Sequence, residues 1–465
     1  MAWSPTGAAF SGRNPILKVL LILGLVIGLL LPLMLVDGLV SERQSRYREV
    51  VQEIGNLWGR QQVIAGPILV VPARHRFVDN EGEVRVEDDS IILLPDDYDI
   101  VGHVAPETRR RGIFEAVVYR LEVEITGTFV LPAAPDWLDG TVTVDWSRAR
   151  LALGLSDQRS ITSAPDLQWN GQGLPMTPGL PPTATSLSWG GMQAALPALQ
   201  DGDFGTPLAF SVALSVNGSQ SLSFLPLGRN TTAAIASSWP HPSFDGSFLP
   251  DTHEVREDGF DAHWATSYFA RSYPQGWRTG EAGSARFSEI NNSAFGVRFY
   301  QPVDAYQQTE RSAKYGILFI VFTFTVFFLY EMVAGLRIHI FQYGLVGCSL
   351  SLFYLLLLAF SEQIGFGPAY AAGAAAVVAQ IAFYTHAVLG SAKRTALLAA
   401  LLAALYAGLY VLMQTEDLAL LIGAVALFAG LTAVMAVTRR VDWYALGAGV
   451  PKPPVPAAAE PPQEP

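Results

Sequence analysis

The sequence predicts an integral membrane α-helical bundle of six transmembrane helices, with a large extracytoplasmic β-rich, sandwich-like domain between the first span and the second. Three observations lead there. Tyr315 to Ala334 is apolar and aromatic with no charge before Glu331, and about 20 such residues at 1.5 Å rise cross a hydrocarbon core of roughly 30 Å. One similar run precedes it and four follow it. Between the first run and Tyr315 the chain is polar and its hydrophobic residues recur every second position, the mark of half-buried strands.

Composition agrees with this division. Half of the residues are hydrophobic and 15% are charged, so membrane and aqueous parts must coexist. Cys348 is the only cysteine and lies in an apolar run, so the β-rich part must fold without disulfides. The net charge of −11 argues against a nucleic-acid partner. Residues 41–311 hold 21 Arg and no Lys against 33 Asp and Glu, so the polar domain carries the acidic excess.

In chain order, residues 1–15 read as a cytoplasmic N-terminus and 16–36 as a transmembrane anchor flanked by Arg13 and Lys18. No small-x-small cleavage site follows; Asp37 and Glu42-Arg43 do, so the anchor is expected to stay uncleaved. Pro32 is expected to kink it. Residues 41–62 place Val50, Val51, Ile54, Leu57 and Trp58 at helical spacing, a helix packed on its own domain. The β-rich periplasmic domain, with this helix at its start, spans 41–311. Leu121, Val123 and Ile125 alternate with Glu122, Glu124 and Thr126; Leu208 to Val216 and Val142 to Trp146 alternate likewise. The Pro-, Gly-, Ser- and Thr-rich stretch from Ser160 to Leu199 reads as long loops.

Residues 304–339 read as one helix organised around the apolar centre, with Tyr315 and Tyr330 at headgroup level. It opens a five-span bundle over 315–437, whose later spans are 341–360, 369–389, 395–412 and 418–437. Threading six spans puts Arg13, Lys18, Arg337, Lys393, Arg394, Arg439 and Arg440 on one side, and Glu362, Glu416 and Asp417 on the other. By the positive-inside rule both termini are cytoplasmic and the β domain is outside. The Pro- and Ala-rich tail 447–465 is expected to be disordered.

Candidate chemistry is sparse. His241, His253, Glu254 and His263 fall within one segment, but their spacing matches no zinc pattern such as HExxH, and structural or surface roles are expected. There is no GxSxG elbow, Walker A motif or strand-to-helix GxGxxG. The sequence therefore predicts no enzyme: no catalytic residue, no cofactor and no metal. In the bundle, Glu331, His386 and Glu362 fall near span ends and Gln380 falls mid-span, where snorkelling and capping would explain the ionisable groups. Glu310, Arg311 and Lys314 carry two cations on the disfavoured outer side. They are candidates for an interdomain seam with acidic β-domain residues, or for contact with lipid phosphates. Expected partners are the lipid bilayer and an envelope protein, lipid or cell-wall component. Two functions stay open: a binding protein, and a transporter or lipid-handling protein; a dry bundle favours the first, a polar path the second.

The strings WPHPSFDGSFLP (239–250), GFDAHW (259–264), TERSAKYGILFIVFTF (309–324), QYGLVGCSLSLFYLLLLAFSE (342–362) and VDWY (441–444) resemble the CreD family of bacterial inner-membrane proteins. The resemblance runs over about residues 14–445. Ile340 stands where the family tends to have Pro, and Gln363 where it tends to have His. The resemblance implies a bacterial inner-membrane protein that supports cell-envelope integrity and the response to envelope stress. It supplies no catalytic or ligand residues.

Overall fold

The structure, a computed structural model, describes residues 15–132, 140–181, 190–300, 305–334, 338–414 and 419–439. The chain forms two compact units, 46–302 and the segments on either side of it.

The described residues of the 46–302 unit form eighteen strands. The first half comprises β1 (Gln62–Val78), β2 (Val84–Leu93), β3 (Asp97–Arg111), β4 (Phe114–Val130), β5 (Val142–Val144), β6 (Arg150–Leu155), β7 (Asp166–Trp169), β8 (Gln172–Leu174) and β9 (Thr177–Pro178). The second comprises β10 (Gly190–Ala195), β11 (Pro207–Ser219), β12 (Ser221–Phe224), β13 (Asn230–Ser237), β14 (Pro242–Gly246), β15 (Thr252–Arg256), β16 (Gly259–Ser267), β17 (Gly276–Arg278) and β18 (Phe295–Phe299). Ten strands form one sheet, in the order β14-β18-β12-β1-β6-β10-β9 with β2, β5 and β17 attached beside it. Eight form the other, in the order β15-β16-β13-β3-β4-β11-β7-β8.

The inner faces of the two sheets share one apolar core, a sandwich in the sense the alternation predicted. Leu121, Val123 and Ile125 of β4 and Leu208, Phe210, Val212, Leu214 and Val216 of β11 are buried in it. Phe244 and Trp264 meet edge to face at 5.8 Å, and Trp264 lies 5.6 Å from Phe295, so aromatic rings join the sheets. Tyr98 and Tyr119 are fully buried, and each satisfies its hydroxyl on a backbone carbonyl, Gly66 at 2.6 Å and Ser221 at 2.7 Å. The stretch from Ser160 to Leu199, expected as loops, contains β7 to β10. Those strands are two to six residues long, too short to show a period. The Val142–Trp146 alternation ends early, because Trp146 starts a 3-10 turn.

A helix α3 (Thr279–Asn292) packs beside β2 and β17. Its first turn is held by Asp89 of β2. The Asp89 carboxylate accepts from Thr279 Oγ1 at 2.7 Å and from the Gly280 N–H at 3.0 Å. It lies 3.9 Å from Arg278, and both side chains are nearly inaccessible.

The other unit is helical. Two helices, α1 (Pro15–Gly28) and α2 (Leu30–Trp58), adjoin at Leu29. Pro32 has no N–H to give the Gly28 carbonyl, which accounts for the irregular residue three positions earlier. The helix expected over 41–62 is not a separate element but the continuation of the anchor. Its C-terminal part buries Val50, Val51 and Ile54 against Ala116 and Val118 of β4, as expected; Leu57 instead points to solvent, 83% exposed.

Residues 304–339, expected as one helix, are broken into α4 (Ala305–Lys314) and α5 (Gly316–Ala334), which meet at 45°. The break falls at a glycine, a common site of kinks. A Cβ on Gly316 would stand 3.1 Å from Leu33 and from the Tyr354 ring, so the bend is packed tightly. Then follow α6 (Ile340–Ile364), α7 (Phe366–Leu389), α8 (Ala392–Gln414) and α9 (Ala419–Thr438). Among the described residues four helices are long and apolar enough to cross a bilayer: the α1–α2 run, α6, α7 and α8. They become five if the bent α4–α5 pair crosses as one; α9 offers a shorter apolar stretch, Leu421–Ala436. Arg13, Arg337, Glu416, Asp417, Arg440, the 441–444 string and the 447–465 tail lie outside the described residues.

Candidate functional site on the eight-stranded sheet

The outer face of the eight-stranded sheet is assembled by register. Across β16, β13, β3, β4, β11 and β7 one row reads His263, Ala234, Val101, Glu124, Ala213 and Asp166. The next row reads Asp261, Ala236, His103, Glu122 and Ser215. Alternation sends these side chains outward because their neighbours Ile100, Gly102, Leu121, Val123, Val212 and Ile235 face the core. The small side chains of Ala234, Ala236, Ala213 and Ser215 on either side of β3 and β4 leave a concavity of about 720 Å³, which Ser163 and Ala164 also line. The loop carrying those two residues is tied to β11: Thr162 donates from its N–H at 3.0 Å and from its hydroxyl at 3.1 Å to the Ser215 carbonyl.

Four carboxylates, Glu122, Glu124, Asp166 and Asp261, line the concavity with His103 and His263, and no Lys or Arg does. Asp261 is partly neutralised by Arg256; the hydrogen bond to Asp261 raises the Arg256 affinity for its proton, against a smaller opposing effect of desolvation. The other three acids give the hollow a negative field, and low-dielectric walls focus such a field. By register Asp166 stands two strands from Glu124 and Asp261 three strands from Glu122, roughly 10 and 14 Å at the usual strand spacing, so the chemistry that fits is a spread of cationic groups on one partner surface. The described residues contain no group of three His, Cys, Asp or Glu side chains placed to hold a metal ion.

Of the histidines singled out from the sequence, only His263 enters this hollow. His253 turns to the opposite side of β15, against the Phe244 ring at 5.1 Å, and His241 lies at the start of β14, where its carbonyl accepts from the Tyr300 N–H. The sequence placed Glu122 and Glu124 outward but did not assemble the site. Its partners come from strands more than a hundred residues apart.

The helical unit places the other expected residues. Glu310 and Lys314, on successive turns of α4, pair at 2.7 Å. Lys314 is mostly exposed, and Arg311 is half-buried and engaged as well. Glu331 is not a snorkelling group. It takes Lys18 of α1 as an ion pair, the Tyr343 hydroxyl at 3.0 Å and the Ile338 N–H at 3.3 Å. Glu362 accepts from the Tyr306 hydroxyl at 3.0 Å and lies 3.9 Å from Arg43. Between these two clusters the buried residues are mostly apolar, with Phe319, Ile320, Phe324, Leu350, Phe353 and Leu357, but include the hydroxyls of Thr323, Ser351 and Tyr354; no buried charged side chain lies there among the described residues.

Several membrane-length helices interrupted in sequence by a large β-sandwich define an integral membrane protein of mixed architecture. The sequence profile described as inner membrane protein CreD matches residues 14–444. The inner membrane protein CreD of Escherichia coli (strain K12) is 33% identical over 433 residues, covering 92% of this chain and 93% of that one. The chain therefore belongs to the CreD family of inner membrane proteins. A solved structure from Legionella pneumophila subsp. pneumophila str. Philadelphia 1, described as a putative nutrient binding protein, shares 8% identity with a TM-score of 0.21. It covers 40% of this chain and 68% of its own, and at that similarity it carries no structural weight. The family's departures now have a place: Ile340 is the first residue of α6, behind a capping box of His339 and Gln342. Pro is favoured at that position for its fixed φ, and Ile occupies it without loss of a needed hydrogen bond.

Proposed function

We propose that this protein supports cell-envelope integrity and the envelope stress response by binding, not by catalysis. Its β-rich unit lies on the periplasmic side, both termini are cytoplasmic, and the chain crosses the inner membrane six times. The ligand is a spread of cationic groups on an envelope component or partner protein, taken into the hollow on the eight-stranded sheet. The observation that carries this reading is that four carboxylates, and no Lys or Arg among the described residues, line one concave face. The lack of a buried charged side chain between the Glu331 and Glu362 clusters, among the described residues, supports binding over the alternative, transport of a substrate through the bundle.

The test is in-cell capture. A photo-crosslinking residue at Val101, which is 61% exposed on the floor of the hollow, should trap a discrete species. Changing Glu122 and Glu124 together to Gln should abolish the capture. Val86, equally exposed on the ten-stranded sheet, is the control position. Equal capture from Val86, or capture indifferent to the two carboxylates, overturns the assignment.

A further inference from the structure

Beyond the places where β5 and β17 attach, the hairpin of β1 and β2 continues as a two-stranded arm. Every side chain of β2 from Val84 to Asp88 is exposed, Val84 at 54% and Val86 at 62%. One edge of this arm is open, and the hydrogen bonds say which residues form it. Arg76 gives its N–H to the Thr141 carbonyl, on the side of β1 where β5 pairs. Val86, opposite Arg76 in the β1–β2 ladder, therefore turns its own N–H and carbonyl away from β1, and Val84 and Asp88 share that phase. Ser90, next in phase, spends its N–H on the Asp89 carboxylate and the Thr279 hydroxyl, and β17 covers β2 from Ile91 onward. Among the described residues no strand pairs with the edge from Val84 to Asp88.

An open edge is a template for a further strand, and proteins usually blunt it with Pro, a bulge or an inward charge. Residues 84–88 read Val-Arg-Val-Glu-Asp, without Pro and without a break in the register with β1. We propose that this edge pairs antiparallel with the same edge of a second copy of the chain, about a two-fold axis at Val86. The order of its residues is complementary to itself in that register. Val86 meets its copy and Val84 meets Asp88 as hydrogen-bonded pairs, about six backbone bonds in all. Arg85 and Glu87 fall at the non-hydrogen-bonded pairs, where side chains stand closer, so an Arg85–Glu87 pair flanks the axis on each side. Centring the axis on Arg85 or on Glu87 would set like charges face to face, and charge thus selects one register. Arg85 already pairs with Asp79 of its own hairpin, and Asp88 has Arg74 at 3.6 Å as its own counter-charge beside Val84. Such a contact is isologous and closes as a dimer. It belongs to the ten-stranded sheet and shares no residue with the hollow.

The test uses the full chain in lipid vesicles, in a Cys348→Ser background that removes its only cysteine. Opposite hydrogen-bonded residues stand about 5.5 Å apart at Cα, within disulfide reach. Val86→Cys should therefore give a disulfide dimer under mild oxidation. Val78→Cys, on β1 and just as exposed, would lie roughly 20 Å from its copy and should give at least about tenfold less. In the Val86→Cys chain, Arg85→Glu or Glu87→Arg alone replaces both ion pairs by like charges and should lower dimer formation roughly tenfold. The two changes together restore opposite charges and should restore the dimer, which a merely local effect of losing the Asp79 pair would not do. A photo-crosslinker at Val86 should trap a product of twice the chain mass that persists when Glu122 and Glu124 are changed, unlike the species trapped at Val101. Equal cross-linking from Val78→Cys, single charge changes without effect, or a double change no better than the single ones overturns the proposal. So does a Val86 product of another mass, which would give the edge to a strand of a different protein.

Discussion

Asp89→Ala is the substitution from which the largest loss in the β-rich unit is expected. The carboxylate is 5% exposed and does two things at once. It stands 3.9 Å from Arg278, itself 6% exposed, and it accepts from Thr279 Oγ1 and the Gly280 N–H at the start of α3. Removing one member of a buried pair costs about 3–5 kcal/mol, because the other charge stays desolvated. Arg278 keeps a further contact, so the low end of that range applies. Losing the acceptor at the α3 N-terminus adds about 1 kcal/mol. The sum is about 4 kcal/mol, and a unit the size of 46–302 loses roughly 2–4 °C per kcal/mol, so melting should fall by roughly 8–16 °C. Tryptophan fluorescence of the full chain in detergent reports mainly on this unit, since eight of the ten tryptophans lie from Trp58 to Trp277. Asp89→Asn, which keeps an acceptor but not the charge, should fall between wild type and Asp89→Ala. A melting point for Asp89→Ala within about 2 °C of wild type would show that Asp89 and Arg278 are not a coupled pair, and the reasoning fails.

Four further outcomes are expected. Burial pushes the Asp157 carboxyl up, but hydrogen bonds from the Arg159 side chain and N–H and from the Arg60 N–H outweigh it and hold it below the usual range. Its stabilising contribution is therefore present above the unfolded value near 3.9 and is lost as pH falls through the lower folded one, so Asp157→Asn should be the less stable protein at pH 6 and the gap should close by pH 2. Glu331→Ala leaves Lys18 without its ion-pair partner at the end of α1; limited proteolysis in detergent should then release the N-terminal segment faster, and an unchanged rate would remove the pair from any locking role. Reversing the charges of Arg311 and Lys314 together should leave insertion intact. Loss of co-purifying anionic lipid would mark α4 as a headgroup anchor, and faster cleavage near residue 303 would mark it as an interdomain seam. Reporter fusions after Glu362 and Thr415 should read periplasmic and those after Arg337, Arg394 and Arg440 cytoplasmic; a periplasmic reading after Arg440 defeats the six-span topology.

Which parts of this protein could be read from the sequence follows from the range of the forces involved. The alternation in β4 and β11 was legible because burial acts residue by residue along 17- and 13-residue strands. The two-residue β9 offered no such pattern and hid inside an apparent loop. The bend between α4 and α5 was not read for another reason: it falls where polar TERSAK (309–314) gives way to the apolar run, a change that also suits one straight helix leaving the membrane, and the close approach of Leu33 and Tyr354 to Gly316 comes from distant segments. The hollow on the eight-stranded sheet needs β13 parallel to β3, a pairing that hydropathy does not specify.

The same limit explains why snorkelling and capping were expected for Glu331 and Glu362 and their distant partners were not. Each has a tyrosine donor from the C-terminal helices and a cation from the N-terminal one, Lys18 at one carboxylate and Arg43 at the other. Lys18 and Glu331 are 313 residues apart in sequence. Closing a loop of that length costs only a little more than closing one of half the length, since the penalty grows logarithmically. Two polar contacts against the helices after residue 303 are therefore well placed to hold the N-terminal helix among them despite the β-rich insertion. In an apolar medium such contacts also fix rotation, because a partnered carboxylate cannot slide to a neighbouring turn without being left bare. On this reasoning the first span is a structural member of the helical unit, held near both of its ends, and not merely a tether for the domain that follows it.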